Sequence, residues 1–231
     1  MSVDLTWLGH AAWKLTTGGK TVVIDPFLND SPTAPCKADE VAADYVLVSH
    51  GHFDHCADAA SIARRCRAPL LSNFEIATWF AKTHHVSDTV GMNLGGGVQL
   101  PIGRVELTLA FHSSQLPDGS YGGNPAGFLL RLDGANVYFA CDTALFGDMQ
   151  WIGQQGIDVA VLPIGDLFTM GPADAVEAVK RVAPRFVLPS HYNTWPPIAQ
   201  DARAWAGRVR AETAAQPVVL QPGESWKLPV S

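Results

Sequence analysis

Cysteine is scarce in this chain. The four present, Cys36, Cys56, Cys66 and Cys141, show no CxxC spacing, which speaks against a structural zinc knuckle and against a disulfide framework. Positive charge is also short: 16 Lys and Arg face 22 Asp and Glu, for a net charge of −6. The cations are scattered instead of gathered, which disfavours nucleic acid as a partner, since phosphates call for a basic patch. No uncharged apolar run approaches the length of a bilayer span, and MSVDLTWLGH at the amino terminus carries an acid where a signal peptide has its positive region. These absences read as a soluble, cytoplasmic protein with no membrane partner.

What is present is apolar and rich in turns. Hydrophobic residues make up 47% and charged residues 16%, with 21 Gly and 16 Pro, so a disordered chain is excluded and tight turns are expected. No stretch marks a linker, and residues 1–231 read as one domain with ample length for a core. Nothing in the sequence fixes or forbids a homo-oligomer.

The chain is organised around YVLVSHGHFDH, Tyr45 to His55. Its first four residues form an apolar, β-branched run that reads as a buried strand, and the strand empties into three histidines and an aspartate. His50 and His52 lie two apart, so in extended backbone their side chains leave on the same side. Asp54 and His55 follow after a turn. A single catalytic ion, which must keep a position open, cannot take all four side chains. The spacing points to two neighbouring metal centres, and burying such a cluster without metal would leave several polar groups lacking partners.

The same geometry recurs along the chain. Strands are expected at 3–8, 13–16 and 21–24, with His10 in the loop after the first and Asp25 at the end of the third. Loops at strand ends carry most site chemistry: His10 is expected to face substrate or to support a ligand, and Asp25 to hold a ligand histidine by hydrogen bond. Helices at 58–67 and 75–84 flank a strand at 69–71, and His84 and His85 read as a solvated pair at a helix end. Strands at 98–100, 105–111, 128–132 and 136–140 follow, the second ending at His112 and the fourth at Asp142. Then come a helix at 145–155, strands at 159–163 and 186–188 around a helix at 172–182, His191 beyond the last of these strands, a helix at 198–213, and strands at 218–220 and 226–228.

Taken together, HGHFDH, a distant His, a distant Asp and a last His, each after a strand, resemble the metallo-β-lactamase superfamily. More narrowly, WLGHAAW, IDPFL, SHGHFDH, HSS, GNPAGF, CDTALFGDM, LPIGDLFTMGPADA, SHYNTWP and LQPGESW resemble a bacterial family of metal-dependent hydrolases related to L-ascorbate-6-phosphate lactonase, over essentially the whole chain. The resemblance implies an α/β fold, a four-layer αββα sandwich of two mixed β-sheets flanked by helices, with the site at one edge. It also implies that His50, His52 and His112 bind one divalent metal ion, that Asp54, His55 and His191 bind a second, and that Asp142 bridges both. Cys141 stands where the family pattern usually has a small residue, most often Gly, and Cys56 adjoins the ligand His55.

Two such ions, about 3.5–4 Å apart, hold a shared water and lower its pKa towards neutrality, which makes a hydroxide that attacks an ester-, lactone- or phosphoester-type substrate. Asp54 or Asp142 would shuttle the proton, and His10, Thr169 and Asn193 would orient a small-molecule substrate beside Phe168, Met170 and Trp195. Imidazole with carboxylate suits Zn first, and Mn, Ni, Fe or Co as alternatives. The rival readings are a nuclease of the same fold acting on RNA or DNA, and a metal or redox sensor without hydrolysis. The length, acidity and lack of an RNA-gripping arm disfavour the nuclease, and the complete ligand set disfavours the sensor.

Overall fold

The computed structural model describes residues 2–229, so Met1, Val230 and Ser231 of the expected 1–231 domain lie outside the described residues. The chain opens as an antiparallel meander, β1 (Val3–Trp7), β2 (Trp13–Thr17) and β3 (Lys20–Ile24). Parallel strands with helical crossovers follow: β4 (Tyr45–Leu47), α1 (Phe53–Cys56), α2 (Ala59–Cys66), β5 (Leu70–Asn73), α3 (Phe74–Thr83) and β6 (Thr89–Met92). The second half repeats the plan, with β7 (Gly97–Leu100), β8 (Gly103–Leu109), β9 (Ala126–Leu132) and β10 (Ala135–Phe139) antiparallel. After these come α4 (Met149–Gly153), β11 (Val159–Pro163), α5 (Pro172–Val182), β12 (Phe186–Ser190), α6 (Ala202–Glu212), β13 (Gln216–Pro217) and β14 (Ser225–Lys227).

Two seven-stranded sheets result, in the orders β14-β1-β2-β3-β4-β5-β6 and β13-β12-β11-β10-β9-β8-β7. Each combines three consecutive antiparallel pairings with three consecutive parallel ones, and in both sheets the antiparallel block includes the strands that come first in its half of the chain. This is the mixed-sheet sandwich that the motif order implied.

Alternation along the central strands shows why the sheets are covered on both faces. In β3, β4 and β5, Val22, Ile24, Tyr45, Leu47 and Leu71 join the core between the sheets, while Val23, Val46 and Leu70 join a second core under α2 and α3. A period of two with apolar residues at both phases is what a strand buried on two faces requires. Trp13 of β2 crosses between sheets: it is buried, and its indole N–H donates to Ser190 Oγ of β12 at 3.0 Å.

Several expected boundaries move, each for a local reason. The helix expected at 198–213 starts four residues late, because Asp201 caps it by accepting from the N–H groups of Arg203 and Ala204, while 196–198 forms a 3-10 turn behind two prolines. The strand expected at 218–220 lies at Gln216–Pro217 instead. The helix at 145–155 contracts to Met149–Gly153, and the strand at 105–111 ends at Leu109, so His112 hangs from a loop three residues further on. Two elements carry too weak a pattern to be read from sequence, β6 with its Gly91 and the single turn α1 inside the central motif. Among the described residues, no helix is long and apolar enough to cross a membrane.

Truncating Trp13 to Ala would empty a fully buried site and leave Ser190 without its donor. The expected loss is about 3–5 kcal/mol, read as a lowered denaturation midpoint with an unchanged slope; a loss under about 1 kcal/mol would mean that the sheets are not joined through this ring.

Candidate metal centre

The cluster sits where strands of both sheets end, as ligand sites of α/β sheets do. Its backbone is unusual. His10, Asp25, Cys141, His191 and Asn193 all have left-handed φ, between 46° and 59°, a region that non-glycine residues seldom adopt and that concentrates at functional sites. At His10, Asp25 and His191 the reversal follows a strand end and leaves the side chain buried in the cluster, whereas Asn193 stays exposed. Two glycines permit the close approaches this needs: a Cβ on Gly165 would lie 2.2 Å from the His191 carbonyl, and one on Gly51 would lie 3.0 Å from the Gln115 carbonyl.

Asp25 works from behind the ring atoms that face the centre. Its carboxylate accepts from the Ser49 N–H at 2.7 Å, the Ser49 hydroxyl at 2.6 Å and His55 Nδ1 at 2.9 Å, and Ser49 Oγ in turn accepts from His50 Nδ1 at 2.9 Å. With both Nδ1 atoms protonated, the Nε2 lone pairs of His50 and His55 point to the centre, the tautomer that metal ligation needs. Ser49 was not singled out from the sequence. Its signal was there, a hydroxyl between a buried strand and the first histidine of the motif.

His52 faces the centre through Nδ1, which lies 3.0 Å from His50 Nε2 and 3.2 Å from His112 Nε2, while Ser113 Oγ stands 3.3 Å from its other nitrogen. Three imidazole nitrogens at these separations fit one ion: metal–nitrogen bonds of about 2.0–2.1 Å at tetrahedral angles place nitrogens about 3.3 Å apart. Burial pushes the pKa of all three rings down, with His55 and other neighbouring rings contributing to His50 and His52, so they are neutral and able to donate a lone pair.

A second group gathers His10, Asp54, His55 and His191, whose ligand atoms lie within 4.8 Å of one another. His10 is closer than a supporting loop residue had to be. It is fully buried, with Nε2 donating to Asp54 Oδ2 at 3.1 Å and Nδ1 accepting from the Thr194 hydroxyl at 2.7 Å. Its carbonyl accepts three donors, Trp7 Nε1 at 2.9 Å, His191 N at 3.0 Å and Ser190 Oγ at 3.2 Å. Thr194 carried no signal beyond its place near His191.

Asp142 joins the two groups. Its Oδ2 lies 3.1 Å from His191 Nε2, 3.3 Å from His55 Nε2, 3.6 Å from His112 Nε2 and 3.9 Å from His50 Nε2. Burial works against its charge, but His191 and His55 hold it well below the usual carboxylate range. Burial likewise opposes charge on His55, and the carboxylates of Asp142 and Asp54 overcome it, so its pKa rises well above 6.5. His55 Nε2 and Asp142 Oδ1 are nonetheless buried without a hydrogen-bond partner. Orphaned polar atoms in so polar a cluster are the sign of a site shaped for a cation.

A profile of the β-lactamase superfamily domain matches residues 4–191. The chain belongs to that superfamily. Relatives place it among the UPF0173 metal-dependent hydrolases: that of Pelotomaculum thermopropionicum is 47% identical over 231 residues, covering 98% of this chain and 100% of the relative. That of Thermus thermophilus is 46% identical over 226 residues, covering 98% and 99%. A solved metallo hydrolase from the archaeon Ignicoccus hospitalis superposes over 100% of both chains with TM-score 0.90 and 34% identity.

Not every expected residue of this hydrolase reaches the cluster. Thr169 donates its hydroxyl to the Met170 carbonyl, and Asn193 Oδ1 accepts from Gln200 N at 2.7 Å, so both are engaged locally. Met170 is buried in the main core, not in a pocket wall, whereas Phe168 and Trp195 do line a cavity beside His52 and Asp54. Cys141 and Cys56 remain thiols: burial raises the first well above its usual value and the second to about 12. His84 packs against Trp79 and Phe80, away from the cluster.

Asp25→Ala frees both His55 and Ser49, and metal affinity measured by chelator competition should fall about 10–100-fold; unchanged affinity would show that the rings need no such support. Burial and the neighbouring His191 lower the His10 pKa from 6.5 to about 4. As pH falls through this window the unfolded chain binds a proton that the folded chain refuses, so stability present above pH 6.5 is lost towards pH 4, by about 3 kcal/mol for this group. In metal-stripped protein, His10→Gln should flatten that pH dependence of denaturation; an equally steep loss would assign it to other groups.

Proposed function

We propose that residues 1–231 act as one hydrolase domain that uses two divalent metal ions, zinc first and manganese, nickel or iron as alternatives, to cleave a small ester, lactone or phosphoester. The observation that carries this reading is the position of Asp142 Oδ2, within 3.1–3.9 Å of imidazole nitrogens from both ligand groups. A carboxylate so placed can bridge two ions, with His50, His52 and His112 holding one and Asp54, His55 and His191 the other. When bound, such ions polarise the scissile group and lower the pKa of a shared water.

The chain's own residues supply the rest. Ser49 and Asp25 fix the His50 and His55 rings, so no reorganisation is needed during reaction. Asp54 lies at the edge of the cluster and lines the cavity beside it, the right place to take a proton from the nucleophile and return it to the leaving group. His10 keeps one Asp54 oxygen engaged at 3.1 Å and so orients the other.

A nuclease of this fold is less well supported. The ten residues lining the cavity include no Lys or Arg, and a phosphate backbone needs cations to replace its counterions.

Metal content and turnover test the reading together. Protein loaded and then desalted should carry about two equivalents of metal and cleave one or more of a panel of small esters, lactones and phosphodiesters. Asp142→Ala should hold about one equivalent or less and lose at least about 100-fold in kcat. Stoichiometric metal with no cleavage of any panel member would move the reading to a sensor.

A further inference from the structure

The cavity beside the cluster has a volume of about 710 Å³, within the range of small-molecule sites. Its polar side chains are His52, Asp54 and Gln115, the last donating its amide to the Gly119 carbonyl at 3.3 Å, and its apolar walls are Phe53, Leu116, Pro117, Phe168, Trp195 and Pro197. Phe53 and Phe168 are each 55% exposed, large apolar side chains that nothing among the described residues covers. The platform beneath is rigid: Phe27, 1% exposed, meets Phe53 edge-on at 5.7 Å and Trp195 at 6.0 Å, and Phe53 and Trp195 lie 6.3 Å apart. A lone apolar side chain on a surface is ordinary; several converging from separate segments beside candidate catalytic groups form a subsite.

Charge decides what the subsite takes. Asp54 is the only ionic side chain in the lining apart from the imidazole of His52, and both face the cluster. An anionic group at the far end would give up water and gain no charged partner there. We infer that the substrate carries an uncharged aliphatic or aromatic group next to its scissile bond, seated between Phe53, Phe168 and Trp195, and no anion at its distal end. This rests on the hydrolase reading above and narrows it: a sugar phosphate whose phosphate lies away from the reacting carbonyl does not fit.

The test compares matched 4-nitrophenyl esters on metal-loaded, full-length protein: acetate, butyrate, hexanoate, and an adipate monoester that replaces the terminal methyl of a similar chain by a carboxylate. In the expected result kcat/KM rises about fourfold per methylene, and the carboxylate-terminated ester is at least tenfold poorer than hexanoate. Phe168→Arg, a change at an exposed side chain, should reverse that preference, mainly through KM, and Phe168→Leu should restore it. Calorimetric binding of hexanamide and of the monoamide of adipic acid runs in parallel. Equal turnover of all esters, or preference for the carboxylate in the wild type, would overturn the apolar subsite and leave the hydrolase standing. No ester turnover, with hexanamide still bound in preference to its charged analogue, would keep the subsite and sink the ester hydrolase. No turnover and no binding preference would overturn both.

Discussion

A carboxylate shut away from water is the constraint around which this protein is built. Asp142 is 2% exposed, and an ionised group so placed is tolerated only if other charges or dipoles replace its hydration. Four imidazoles converge on one of its oxygens. The carboxylates of Asp142 and Asp54 carry the pKa of His55 up against its burial, while burial pushes those of His50, His52 and His112 down. A metal ion takes up the same lone pairs, so its binding is coupled to the protonation of these rings.

Holding so many polar groups together demands rigid surroundings, and the repeated sheet plan supplies them. The first sheet delivers Asp25 and the His50 to His55 motif from the ends of β3 and β4; the second delivers Asp142 and His191 from the ends of β10 and β12. The join between them runs through the loop after β1. The His10 carbonyl gathers donors from Trp7, Ser190 and His191, and Ser190 is held in turn by Trp13. The same short loop therefore fixes His10 against Asp54 and closes the sandwich at the edge that carries the cluster. Core packing and site geometry share these residues, so neither can loosen alone.

Most of the candidate cluster was legible because metal ligands need rare residue types at strand ends, and both signals are local. HGHFDH after a buried run, and Asp142 and His191 after others, stand out without any knowledge of what they meet. The partners of those ligands were harder to see. Ser49 and Thr194 are common residues whose significance lies in a few hydrogen bonds, with His50 and Asp25 in the first case and with a histidine 184 positions away in the second. Thr169 and Asn193 also neighbour the cluster's segments in sequence, and in the structure their side-chain oxygens bond within their own turns. Strands covered on both faces were readable from their apolar runs, whereas β6 and α1 are short, and their pairing comes from tertiary context.

The apolar wall and the charged cluster belong to one design. Phe53 follows His52 directly and precedes Asp54, so a single turn of helix sends two side chains towards the ligand groups and one into the cavity. Trp195 lies one residue from Thr194, which holds His10. A substrate group lying on these rings would displace water from beside the cluster. In the lower dielectric left behind, the attraction between an ion and a developing negative charge is stronger than in open solvent. Apolar burial of the substrate would then serve the reaction as well as recognition, because seating the neutral part of the molecule is what dries the site where charge must develop.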